Sequence, residues 1–107
     1  MSQNTRRQVA KTTLKIPPIC FGTSALGDMP DTYGYAVDDA RALATINAIF
    51  DNNIGFLDTS NNYGAGRSEA RVGAAIRARG GLPKDFIISS KLDRNMQNNL
   101  FLSLIHI

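Results

Sequence analysis

Three short apolar runs, at residues 19–24, 54–57 and 86–90, alternate with two stretches of helical periodicity, and that order leaves few architectures open. Parallel strands need a crossover of a dozen or more residues between them, usually a helix. Strand, helix, strand, helix, strand therefore reads as repeated βαβ with right-handed crossovers, an α/β fold with a parallel sheet. The middle run is the most telling. Residues 54–57 are too few and too apolar for a surface helix, and Asn52-Asn53 before them and Asn61-Asn62 behind them are turn signals. The run fits a buried parallel strand. Asp58 then stands at its carboxyl end, where α/β folds place their chemistry.

Taken in order, residues 1–7 are polar and expected to fray. Residues 9–16 alternate loosely, as a short hairpin would, and Pro17-Pro18 stops them. In the first strand, Gly22 offers either a close approach to the backbone or a bend. Residues 27–35 read as a loop. Asp38 or Asp39 can cap the first helix, whose apolar face is expected from Leu43, Ile46, Ile49 and Phe50. After Asp58, residues 64–67 carry Gly64 and Gly66 without the three-glycine dinucleotide spacing, so a flexible turn is expected there. Ser68 is the expected cap of the second helix, with Glu69 in its first turn. Val72, Ala75, Ile76 and Arg79 follow on one face, and Gly80-Gly81 with Pro83 stop it. Lys91 stands at the carboxyl end of the third strand. Residues 93–99 lose helical patterning, and the chain closes on an apolar stretch holding its single histidine, His106, expected to be a chance residue of an unstructured end.

Charge and cysteine content exclude several functions. The net charge of +3 is spread without a basic stripe or interleaved aromatics, so no nucleic-acid partner is expected. Arg6-Arg7 precede no apolar region that would make them an export signal. No run approaches the roughly 18 apolar residues of a membrane span, so no membrane partner is expected. Cys20, the only cysteine, permits neither an intrachain disulfide nor a Cys-based zinc site. No metal is expected, and a reducing, cytoplasmic setting fits.

Adjacent parallel strands bring Asp58, Tyr63 and Lys91 to one face. Each has an ordinary use: Asp58 can cap a loop, Tyr63 can fill a packing gap, Lys91 can be solvated. Together they have a specific one. An ammonium beside a phenol favours phenolate, a carboxylate holds the ammonium, and the phenol can then move a proton to or from a substrate oxygen.

The run Ile54-Gly55-Phe56-Leu57-Asp58-Thr59-Ser60 with Asn62-Tyr63-Gly64 resembles the signature of the aldo-keto reductase superfamily. Gly22-Thr23, Ser68-Glu69, Val72-Gly73 and Ser89-Ser90-Lys91 support the resemblance, which extends over about residues 16–95. Within it, residues 31–35 and 61–64 look most like the aldose dehydrogenases that act on L-fucose, D-threo-aldoses or galactose, and like pyridoxal 4-dehydrogenase. The resemblance implies a (β/α)8 TIM barrel, of which this chain would be the first three βα units. It implies NAD or NADP as cofactor and a small-molecule carbonyl or sugar substrate. Tyr63 matches the proton donor or acceptor, Lys91 the lysine that tunes it and Asp58 the paired carboxylate. Gly22, Thr23 and Asp58 match positions at the cofactor.

The family's catalytic histidine, at the end of the fourth strand, has no match in this chain, and neither do strands five to eight. A whole barrel needs roughly 250 residues, so residues 1–107 are expected to form a partial barrel domain, inactive by itself, with residues 97–107 as a tail foreign to the fold. A non-enzymatic binding or regulatory protein of the same barrel family is the alternative. The choice of NAD or NADP, the substrate and the oligomeric state stay open.

Overall fold

The computed structural model describes residues 6–91. Of residues 1–7, expected to fray, 1–5 lie outside the described residues, as do the polar stretch 93–99, the tail 97–107 and His106. Arg7 does not fray but pairs with Ile16 in a strand, and Arg6 donates to the Lys15 carbonyl at 3.3 Å.

The chain opens with an antiparallel hairpin of β1 (Arg7–Gln8) and β2 (Lys15–Ile16), with Arg7 opposite Ile16 and Gln8 opposite Lys15. The strands flank the turn rather than filling residues 9–16. Thr12 Oγ1 donates to the Val9 carbonyl at 2.6 Å and Val9 N–H to the Leu14 carbonyl at 2.8 Å, so the chain already reverses there.

The main sheet is parallel, in the order β3 (Phe21–Gly22), β4 (Phe56–Asp58), β5 (Ile87–Ser89). Three parallel strands joined by helices confirm the βαβ reading, and among the described residues the sheet does not close on itself. The first strand is shorter than expected because the chain turns at Thr23 into a 3-10 turn, Ser24–Gly27. The predicted loop 27–35 also contains a one-turn helix, α1 (Pro30–Tyr33), opened by a proline whose missing N–H costs nothing at that position.

Helix α2 (Asp39–Phe50) is capped by Asp38, whose Oδ1 accepts from Arg41 N–H at 2.8 Å. Its buried stripe is Ala42, Ile46, Ile49 and Phe50. Leu43, expected on that face, is 39% exposed. The spacing 42, 46, 49 centres the stripe one residue earlier, and Leu43 falls to its edge. Helix α3 (Arg67–Arg79) buries Val72 and Ala75 against the same core and ends at Gly80. Arg79 returns to α2, donating to Asp51 Oδ1 at 2.8 Å and lying over the Phe50 ring, which meets Phe86 edge to face at 4.9 Å.

Both helices cover one face of the sheet. Period-two alternation sends Phe21, Leu57 and Ile88 toward them and Phe56, Asp58, Ile87 and Ser89 away. A fully buried strand was expected at β5, but Ile87 and Ile88 are only half-buried. Ile87 faces away from the helices, and Ile88, though packed against the core, lies on the outer strand of the three described. Leu57, in the central strand, is fully buried. Leu57→Ala should cost about 2–5 kcal/mol, measured by denaturant unfolding. A loss under about 1 kcal/mol would place the core elsewhere.

Candidate active site

Strand register sets the first three positions. Gly22 is the partner of Asp58, and Asp58 the partner of Ser89, so a glycine, a carboxylate and a hydroxyl lie in one row on the face away from the helices. Lys91, two residues after Ser89, continues on that face. Lys91 Nζ donates to Asp58 Oδ2 at 2.6 Å, to the Thr59 carbonyl at 3.0 Å and to Tyr63 OH at 3.1 Å. The ammonium, 4.9 Å from the Tyr63 ring centroid, meets the phenol at its oxygen end. Asp58 Oδ1 accepts from Ser89 Oγ at 2.7 Å. Asp58, Tyr63 and Lys91 thus meet in one connected cluster.

Tyr63 is carried by a tight turn, not the flexible one expected at 64–67. Gly64 (φ 61°) and Gly66 (φ 96°) flank Ala65, and all three are left-handed. Gly64 packs backbone to backbone against Gly27, where a Cβ would overlap the Gly27 carbonyl. Arg67 closes the junction from outside: Nε donates to the Gly27 carbonyl at 2.8 Å and Nη2 to the Asp28 carbonyl at 2.9 Å. The turn after β3 and the turn after β4 are thereby locked together, and Tyr63 with them.

Ser68 is not the helix cap. Left-handed Gly66 occupies that place, and Ser68 lies inside the first turn, fully buried. Its hydroxyl donates to the Thr23 carbonyl at 2.9 Å or Thr23 Oγ1 at 2.8 Å, and lies 3.1 Å from Thr59 Oγ1. Thr23, matched to the cofactor mouth, is also fully buried; its N–H and Oγ1 both donate to the Asp58 carbonyl, at 3.1 and 2.9 Å. Gly22, by contrast, is exposed. On the helix side, Ser90 Oγ donates to Glu69 Oε2 at 2.7 Å, fastening the end of β5 to α3. The roles of Ser68, Glu69, Ser89 and Ser90 were invisible to pattern alone, because each bond joins elements whose register must first be known.

Partial burial alone would lower the Lys91 pKa. Hydrogen bonds to Asp58 and Tyr63, and the charge of Asp58, outweigh it and hold the ammonium above its ordinary 10.5. Since the folded value is the raised one, the contact's contribution to stability is fully present below pH 10.5 and is lost as pH rises through the higher folded value. The side chain is 45% exposed, so solvent screens the contribution and it is small. Unfolding midpoints should therefore fall more steeply above pH 10.5 in the wild type than in Lys91→Met; equal slopes would remove Lys91 as the source. Nearby Cys20 is a free, exposed thiol whose pKa is raised by burial and by Asp58, against a smaller lowering by Lys91. Among the described residues no group of three or more His, Cys, Asp and Glu is placed to hold a metal, and no helix is long and apolar enough to cross a membrane.

Residues 18–102 match the Aldo/keto reductase family. The chain is 32% identical over 97 residues to D-threo-aldose 1-dehydrogenase of Pseudomonas sp, covering 90% of this chain and 27% of that protein. It is 34% identical over 88 residues to L-galactose dehydrogenase of Arabidopsis thaliana, covering 82% of this chain and 26% of that protein. The chain thus spans about a quarter of the length of these curated relatives. In fold it is similar to the aldo-keto reductase AKR11C1 from Bacillus halodurans (holo form), with a TM-score of 0.66 and 24% identity over 92% of this chain and 30% of that one.

Proposed function

Because the chain belongs to the aldo/keto reductase family, we propose that it forms the proton-transfer part of an NAD(P)-dependent oxidoreductase acting on an aldehyde, a ketone or a sugar hemiacetal. One observation carries the reading: Lys91 Nζ lies between Asp58 Oδ2 at 2.6 Å and Tyr63 OH at 3.1 Å.

The residues present fit a flat cofactor ring. Gly22 lies in the same row as Asp58, is exposed, and a Cβ there would meet nothing within 4 Å. Gly22 and Asp58 would face the ring, and Thr23, turned inward, would keep the two in register. When bound, nicotinamide supplies or accepts the hydride. Tyr63 moves the matching proton. In reduction its hydroxyl donates to the carbonyl oxygen, and in oxidation its oxygen takes the hydroxyl proton. Lys91 donates a hydrogen bond to that oxygen as it gives up its proton. Asp58 and the Thr59 carbonyl hold the ammonium in place.

The names of the relatives favour aldoses as the substrate class. A reducing cytoplasmic setting agrees with the free thiol of Cys20. The test is an aldose and aldehyde panel with each nicotinamide, followed by the absorbance of the reduced coenzyme. It is run on the intact protein, meaning the whole barrel of which residues 1–107 would form the first three βα units. Substrate-dependent change with at least one sugar is expected. A flat trace across the whole panel, with either coenzyme, would refute the reading.

A further inference from the structure

Asp58 must present one particular oxygen to Lys91, yet the terminal torsion of an aspartate is broad and roughly two-fold. Something has to hold the carboxylate plane. Ser89 is the direct cross-strand partner of Asp58, on the same face of the sheet, and its Oγ donates to Oδ1 at 2.7 Å while Oδ2 accepts from Lys91 at 2.6 Å. The backbone at this point is held as well: Thr59 N–H donates to the Ser89 carbonyl at 2.9 Å, and the neighbouring Ser90 is tied to Glu69 on the opposite face.

We infer that Ser89 is a positioning residue for the proposed reaction: its hydroxyl fixes the Asp58 carboxylate so that Oδ2 stays on Lys91 and the ammonium stays on Tyr63. Ser89 is half-buried and lies away from the helix-packed core, so its side chain contributes direction more than packing. A hydrogen bond to a charged acceptor is among the stronger ones a hydroxyl makes.

The inference rests on the oxidoreductase reading, and two measurements keep the fates of the two apart. The first is the titration of Lys91, followed by NMR of its side chain in the intact protein without coenzyme. The second is kcat and KM with the best aldose. Ser89→Ala should lower the Lys91 titration relative to wild type and reduce kcat by roughly tenfold, with coenzyme affinity unchanged. Ser89→Cys keeps the volume but offers only a weak donor, so it should match Ser89→Ala and serves where the alanine variant folds poorly. Ser89→Thr keeps the hydroxyl on a β-branched side chain suited to a strand, and should restore both readouts. An unchanged Lys91 titration in the Ala or Cys variant, or a threonine variant as impaired as alanine, would overturn the inference. A wild type without coenzyme-linked turnover would sink the proposed function instead, while the Lys91 titration still decides the role of Ser89.

Discussion

Tyr63→Phe is expected to lower turnover by about 10²–10⁴-fold and to leave nicotinamide affinity almost unchanged. The phenol oxygen is the group that Lys91 Nζ reaches at 3.1 Å, and it is all that the substitution removes. The ring stays, and so does the ammonium, which retains Asp58 Oδ2 at 2.6 Å and the Thr59 carbonyl at 3.0 Å. A loss confined to kcat would identify an interaction made in the transition state, whereas a rise in KM alone would mean that Tyr63 only binds. The measurement is steady-state turnover beside coenzyme titration by fluorescence. Near-normal turnover in Tyr63→Phe would remove Tyr63 from the chemistry.

Gly64→Ala should be the most damaging small substitution in the described residues near the site. Gly64 has φ 61°, a region that costs a side chain about 1–2 kcal/mol. Its Cβ would also overlap the Gly27 carbonyl oxygen and lie 2.6 Å from the Gly27 carbonyl carbon. Both contacts are backbone, so relief requires moving one of the two turns that Arg67 holds together. A total loss of about 2–5 kcal/mol in unfolding free energy is expected, from strain and overpacking together. Turnover should fall as well, because Tyr63 is the adjacent residue. Gly66→Ala is the control: φ is 96° but a Cβ there meets nothing within 4 Å, so strain alone should appear. Equal losses in the two variants would show that the Gly27–Gly64 contact does not hold the turn.

The strand ends were legible because they depend on local signals. The apolar run before Asp58, the Asn pairs around it and the cap at Asp38 each act within a few residues, and all three appear in the structure. The meeting of Asp58, Tyr63 and Lys91 followed from strand order, since adjacent parallel strands end on one side. What stayed hidden depended on distant partners. Gly64 reads as a flexible turn until Gly27 is seen against it. A serine before a glutamate looks like a cap, and only the left-handed backbone at Gly66 shows that Ser68 has moved inside the helix and turned toward Thr23. Thr23 beside Gly22 looks equally open, yet alternation buries one and exposes the other. The Leu43 error was one of phase: Ala42 is small enough to pass unnoticed in an apolar pattern, yet it takes the buried position.

Hydride transfer coupled to the Tyr63 proton is the central claim, and isotope transfer tests it most directly. The intact protein would be incubated with oxidised nicotinamide and an aldose deuterated at its anomeric carbon, and the reduced coenzyme examined by mass spectrometry. The account predicts coenzyme carrying the sugar's deuterium in the wild type and almost none formed by Tyr63→Phe. Reduced coenzyme without the label, or labelled coenzyme formed equally well by Tyr63→Phe, would contradict it.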